Sequence, residues 1–351
     1  MKGAAIGYAL FVVALAAIWG VDQFVIPYTD RYLTDMLLRV AICVISVSGL
    51  ALVLGFTGQF SLGHAGFMAV GAYSSAVMSM KFGVPFPLAV LLGGLFAGVA
   101  GLAVGVPSLR LTGDYLAVVT LGFNQIIIVA VQNSGSFVDA VRALFGTSGA
   151  EGKPAELVLG SFGEVLSRFG DLGGAQGLTG VPLETNFGWA FTWLLLALVT
   201  LRNLLRSPHG RTFAAVRDNE IATRSLGIDT TRVKVTAFVI GAFWAGVAGS
   251  LTAFKLSSIF PNQFESKVSI ELLAMVVLGG SGSLSGPVLS ASLLTLLPEF
   301  LRGLAEYRMM IYALLLVVMM IVRPKGLLGT RELSDVILAG YRRLFPVRKP
   351  A

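Results

Sequence analysis

The stretch that decides how this chain folds is "GFTGQFSLGHAGFMAVGAY", Gly55–Tyr73. Strongly apolar sequence surrounds it, yet its first half carries three glycines with Thr57, Gln59, Ser61 and His64, polar groups that a lipid-exposed helix avoids. An unpaired donor or acceptor in hydrocarbon costs several kcal/mol, so such a break is tolerated only when buried in protein or lining a wet cavity. Beyond it, small residues recur at Gly63, Ala65, Gly66, Ala69, Gly71, Ala72, Ser74, Ser75 and Ala76, the pattern that lets helix backbones approach closely. The stretch therefore predicts a break followed by a helix packed inside a bundle. Two roles stay open for Gln59, Ser61 and His64. They hold an interhelical turn, or they line a pathway whose helix N-terminus offers N–H groups to an anionic ligand.

The surroundings place this break in a membrane. Of 351 residues, 55% are hydrophobic and only 13% charged, and a mean hydropathy of +0.81 is far above what a water-soluble surface allows. Apolar blocks fall near 4–21, 38–54, 65–80, 87–106, 115–133, 187–203, 235–254, 268–280, 285–301 and 305–322, most of them of the length that crosses about 30 Å of hydrocarbon as a helix. The expected fold is an all-α polytopic membrane bundle of about ten (eight to ten) transmembrane helices. A barrel is excluded because alternating ten-residue strands are absent. The block at 268–280 is too short to cross alone, and Gly280-Ser-Gly-Ser-Leu-Ser285 behind it echoes Gly58-Gln-Phe-Ser-Leu-Gly63. This marks a second broken or re-entrant element and leaves an internal repeat open.

Charge orients the bundle. Arg202, Arg206, Arg211, Arg217, Arg224, Arg232 and Lys234 follow the sixth block, and Arg323, Lys325, Arg331, Arg342, Arg343, Arg348 and Lys349 crowd the C-terminal end. Both belong on the cytoplasmic side by the positive-inside rule, and four spans between them agree with that parity. Counting back puts the N-terminus, Arg110 and the Gly55 break near the cytoplasmic side and turns the Gly/Ser-rich loop 134–186, where acids outnumber bases, outward. The run from Lys2 to Ile18 reads as an uncleaved first helix, with Ala14-Leu-Ala16 as the alternative signal-peptidase site.

Catalysis and metal binding find little support. The net charge of +7 is explained by loop arginines and lysines, not by nucleic acid. A phosphate-binding Gly-x4-Gly-Lys-Ser/Thr loop is absent: Gly152-Lys153-Pro154 has proline where the hydroxyl belongs. Cys43 is a lone cysteine in an apolar block, and His64 and His209 have no ligand cluster around them, so no metal is expected. Asp114, Glu271 and Glu299 lie within a turn or two of predicted helix ends, where none demands a proton relay. On the fifth block, Gln125 and Gln132 share a face with Asn124 and Asn133 nearby, and they either glue helices or meet substrate. Gln59, Ser61, His64, Gln125 and Glu271 are the candidate pathway residues.

The cytoplasmic segment 204–234 reads as an amphipathic helix outside the bilayer. Phe213, Val216, Glu220, Thr223 and Leu226 fall at helical spacing, and Gly227 serves as the C-cap. Its apolar residues Phe213, Val216, Ile221 and Leu226 require a cover, and the groove of a partner protein supplies one.

Together with the opening stretch, "TGDYLAVVTLGF", "GLTGVP", "RTFAAVRDNEIATRSLGIDTTRVKVTAF", "SIELLAMVVLGGSGSLSGPV" and "RPKGLLG" resemble, in order and from about Leu37 to Gly329, the M-type permease subunits of branched-chain amino acid ABC importers. The resemblance implies a non-enzymatic translocation subunit in the inner membrane, with a transmembrane permease domain over 1–330 and a basic cytoplasmic tail over 331–351. It implies a second homologous permease, two cytoplasmic ATP-binding subunits that use the ATP, and a periplasmic substrate-binding protein, with no cofactor on this chain. In that picture Phe213, Val216, Arg217, Glu220, Arg224 and Gly227 form the coupling helix that docks on an ATPase. Glu220-Ile-Ala-Thr-Arg-Ser-Leu-Gly227 departs from the family's Glu-Ala-Ala-x3-Gly signature in one alanine and in glycine position. Similar permeases carry urea, short amides or other amino acids, so the cargo stays open among these. An ion-coupled secondary transporter is the rival of a different class.

Overall fold

The computed structural model describes residues 2–108, 114–134, 173–280 and 282–301, with 307, 310, 313, 314, 317, 318, 321, 322, 326–329 and 332. Most of the 134–186 loop, Arg110, the tail beyond 332 and most of the block at 305–322 lie outside the described residues. The helices are α1 (Lys2–Phe24), α2 (Arg31–Ala51), α3 (His64–Phe82), α4 (Phe86–Ser108), α5 (Asp114–Gln132), α6 (Phe187–Arg206), α7 (Pro208–Asp218), α8 (Glu220–Ser225), α9 (Thr230–Lys255), α10 (Ser266–Gly279) and α11 (Ser285–Phe300). Among the described residues six helical segments are long and apolar enough to cross a membrane: 11–28, 31–56, 86–108, 115–132, 187–206 and 230–255. At 14 and 16 residues, α10 and α11 are each too short to cross alone, as a broken element requires. The 19 residues of α3 have the length but carry glycine, serine and lysine. Twelve of them are buried, and a helix shielded from lipid has no need of a uniformly apolar face.

The chain divides into two compact units, each assembled from separate segments: Met1–Phe60, Phe187–Ala237 and Glu271–Ala351 in the first, Ser61–Asn186 and Phe238–Ile270 in the second. In the first unit α2 packs against α6 and α11, and α1 against α6. Leu38, Ala41 and Ala190 form a small core flanked by Phe191 and Leu194, and Trp19 meets Trp189 edge to face at 5.4 Å. The Ser290 hydroxyl donates to the Met275 carbonyl, tying the two short helices together.

Small residues organise the second unit. A Cβ on Gly71 would collide with the backbone of Gly246 on α9, so the close approach of α3 and α9 requires glycine there. Ser250 bridges it, donating to the carbonyls of Gly71 (3.1 Å) and Gly246 (2.9 Å). Phe67 packs against Phe123 and Phe238, and Tyr73 against Phe264. A two-residue antiparallel ribbon, β1 (Leu178–Thr179) with β2 (Ser258–Ile259), is the one addition to an otherwise helical plan among the described residues.

Candidate functional site

The first segment of the first unit ends at Phe60, so the polar stretch is held in two parts. In the first part α2 passes into one π turn, Leu52–Phe56, before it stops. Its terminal carbonyls are then retrieved one by one. Gly58 N–H bonds Leu54 O (3.2 Å), Gln59 N–H bonds Val53 O (3.1 Å), and the Thr57 hydroxyl also donates to Val53 O (2.6 Å). Gly55 O is taken by a distant side chain: Arg217 Nη1 on α7 donates to it at 3.0 Å. A cation on the last carbonyls of a helix is favoured both as a charge-assisted bond and by the helix dipole. Gly58 sits at φ +70°, a conformation that disfavours side chains, and a Cβ there would press to 3.3 Å from Arg217 Cγ. Glycine thus serves both the turn and the seating of the arginine. Gln59 is buried and donates from Nε2 to Thr57 Oγ1 (3.0 Å) and to the Lys234 carbonyl (3.2 Å). Its Oε1 has no partner among the described residues.

The second part begins at Ser61, in the second unit. Leu62 N–H donates to Thr120 Oγ1 (3.0 Å), Gly63 N–H to Ser61 Oγ (3.4 Å), Ala65 N–H to Ser269 Oγ (2.9 Å), and Gly66 N–H to Gly63 O (3.0 Å). These are the donors that an anion at the α3 N-terminus would need, and they are already spent on the fold. Ser61 and His64 are buried, and His64 is partnered. Asn124 donates to Ser266 Oγ (3.3 Å) and leaves a buried Oδ1 unpartnered among the described residues. Thr120 and Ser269 were unreadable as site residues from the sequence. Each is an ordinary hydroxyl in an apolar block, and only the fold brings it to the break.

The 204–234 segment corrects the expectation of one amphipathic helix with an exposed Phe213–Val216 face. It forms two helices, broken at Asn219, whose backbone is extended (φ −159°, ψ 104°) and whose Oδ1 caps α8 through Ala222 N–H (3.0 Å). Asp218-Asn219-Glu220 carried that cap signal in the sequence. Phe213 and Val216 are buried, at 2% and 4% exposure, because α7 packs on α6 and on the π turn. The apolar side chains left in the open are Ile221 and Leu226, each 81% exposed. Gly227 lies at φ +81° directly behind α8, with its N–H on Arg224 O, as a C-terminal glycine does.

Charge secures this hairpin. Glu220 accepts from Lys234 Nζ at 2.6 Å and lies 3.5 Å from Arg224 Nη2, which also donates to Thr230 Oγ1. Burial works against ionisation of Glu220, but the hydrogen bond and charge of Lys234, with Thr230 and Arg224, outweigh it and hold the carboxyl below its ordinary value of 4.5. Arg217, Glu220, Lys234, Gln59 and Gly55 therefore form one polar cluster in the first unit. Of the remaining candidates, Glu271 is half-buried and Gln125 is exposed partway along the 115–132 span. Gln132 donates to Asn262 Oδ1 (3.4 Å), and Glu299 accepts from the Tyr32 hydroxyl. Among the described residues no group of three or more His, Cys, Asp and Glu is placed to hold a metal.

Interrupted helices, small-residue crossings and a polar cluster at the end of an apolar helix define the class: a helical membrane protein of the transporter kind. The chain belongs to the family described as branched-chain amino acid transport system / permease component, which it matches over residues 32–322. It is similar to the high-affinity branched-chain amino acid transport system permease protein LivM of Salmonella typhimurium and to that of Escherichia coli. With each it is 36% identical over 334 residues, covering 93% of this chain and 76% of the relative. A more local likeness, 34% over 123 residues, covers 32% of this chain and 36% of the autoinducer 2 import system permease protein LsrC of Photorhabdus laumondii. No solved structure matches the chain.

Proposed function

We propose that this chain is the translocation subunit of a binding-protein-dependent ABC importer in the inner membrane, moving branched-chain amino acids inward with ATP hydrolysed by partner subunits. The cargo follows the two LivM relatives, alike over 93% of this chain. The assembly comprises a second homologous permease, two ATP-binding subunits and a periplasmic binding protein. About ten spans place both termini and the α7–α8 hairpin in the cytoplasm by the positive-inside rule.

The observation that carries a mechanism is the bond between Arg217 and Gly55 O. The exposed Ile221 and Leu226 offer an apolar docking face for an ATPase. Arg217, one helix back, grips the end of α2 where the chain turns toward α3. Force applied to α8 by closing ATPases then reaches the helix break through a short chain of buried or charge-paired contacts. A docked partner shifts the permease between states only if it binds one of them better, and this clamp supplies a contact for which two states can differ. Gln125, exposed within a span, needs a polar neighbour there, which a partner permease or the translocation path supplies. Gln59, with one amide oxygen to spare, is the member of the break best equipped to meet cargo.

Reconstitution of the whole assembly in vesicles tests the reading. Leucine uptake requires ATP on the cytoplasmic face together with the binding protein, and urea and acetamide do not compete. Uptake by this chain alone, driven by an ion gradient, would overturn it.

A further inference from the structure

The membrane-crossing helix α6 ends at Arg206, so Arg202 and Arg206 stand in its last turn and a half, at the level where hydrocarbon gives way to headgroups. Beside them, within the first unit, lies a groove of about 480 Å3 walled by Phe56, Leu198, Leu205, Val288 and Leu289. Both arginines and Leu289 are exposed. Among the described residues neither guanidinium has a carboxylate within ion-pairing distance. Among the described residues the one carboxylate lining the groove, Glu332, is spent on the start of α11. It accepts from Leu284 N–H (2.9 Å), Ser285 N–H (3.3 Å) and the Ser285 hydroxyl (2.6 Å).

Two like charges one helical turn apart repel each other unless an anion lies between or over them. Lipid is the solvent of an apolar groove at this depth, and acyl chain is what fills it. Guanidinium groups bond phosphate oxygens in pairs while their stems lie along apolar surface. We infer that the groove is a binding site for an anionic phospholipid, with its phosphate on Arg202 and Arg206 and an acyl chain along Leu198, Val288 and Leu289. A free anion would use the arginines and leave the apolar walls without purpose. A lipid of zero net charge would leave the charge of the pair unreduced, whereas each anionic headgroup offsets one arginine. The site is independent of the cargo.

The test uses the full-length chain, stripped of lipid in detergent and titrated with phosphatidylglycerol and with phosphatidylcholine of the same acyl chains, bound lipid being counted by native mass spectrometry. Phosphatidylglycerol binds about tenfold more tightly. The double variant Arg202→Gln/Arg206→Gln loses that preference, and inorganic phosphate or leucine at the same concentration does not displace the lipid. Leu289→Trp fills the groove without changing charge, lowers occupancy by both lipids, and reads the site even where the double variant does not fold. Equal binding of the two lipids, a preference that survives the double variant, unchanged occupancy in Leu289→Trp, or displacement by phosphate or leucine would each overturn the inference.

Discussion

Helices α7 and α8 follow one another across a single residue, Asn219, and both carry apolar side chains among basic ones. Yet α7 turns Phe213 and Val216 into the chain's own interior, while α8 leaves Ile221 and Leu226 to the outside. The difference teaches that helical periodicity identifies which residues want cover but not who provides it. For α7 the cover is α6 and the π turn of α2, fastened by Arg217. For α8 the described residues of the chain leave Ile221 and Leu226 uncovered. The inner helix thus reads as an anchor and the outer one as a contact surface.

The comparison is broken most decisively at Phe213. Phe213→Ala removes a buried aromatic side chain, and a loss of about 3–5 kcal/mol is expected in denaturant unfolding of the purified chain. A loss near zero would mean that α7 is not anchored. Next comes Arg217→Ala, which leaves Gly55 O and the end of α2 without their charged donor; about 1.5–3 kcal/mol is expected. In the assembled importer this variant hydrolyses ATP with little leucine moved per ATP, whereas Arg217→Lys recovers part of that ratio. Gly58→Ala forces a side chain into positive φ against the same arginine, for an expected cost of about 1–2 kcal/mol.

Smaller effects sharpen the contrast. The carboxyl of Glu220 titrates lower in the folded chain, so its contribution is present above pH 4.5 and is lost as pH falls through the depressed native value. Stability below pH 4.5 therefore declines less steeply in Glu220→Gln than in the parent, measured as thermal unfolding across pH 3–6, an interval of about three units around the free carboxylate value. Smallest for the isolated chain is Ile221→Asp with Leu226→Asp, expected to shift stability by no more than about 0.5 kcal/mol. In the assembly the same pair abolishes co-purification of the ATP-binding subunits, and its survival would return the docking role to α7.

Much of this was legible beforehand. Apolar blocks against a 30 Å bilayer, a length set by about twenty helical residues, placed α1, α3, α4, α5, α6, α10 and α11 within a few residues and found α2 and α9 with later starts, while α7 and α8 lie outside any apolar block. The recurring small residues marked α3 as an interior helix, and Gly227 marked the end of α8. The same reasoning could not separate α7 from α8, although Asn219 carries a cap signal, because apolar spacing continues smoothly across the kink. Nor could it tell which hydroxyls serve the break, since Thr120 and Ser269 lie 58 and 204 residues from the backbone groups they satisfy.

Local and collective properties divide what each level determined. Hydrophobicity, helix length, loop charge and motif order are properties of short windows, and by themselves they established a polytopic helical membrane protein of a permease family with a polar break at Gly55–His64. Whether that break has free N–H groups, whether Phe213 is covered, and which carbonyl Arg217 meets depend on pairs of residues far apart in the chain. Those pairings exist only after the bundle closes, because an orphaned polar group or an uncovered aromatic ring is satisfied by whichever element the fold brings within a few ångströms. Tertiary structure turned the opening stretch from an unexplained gap in a hydrophobic helix into a bend braced from both of its ends.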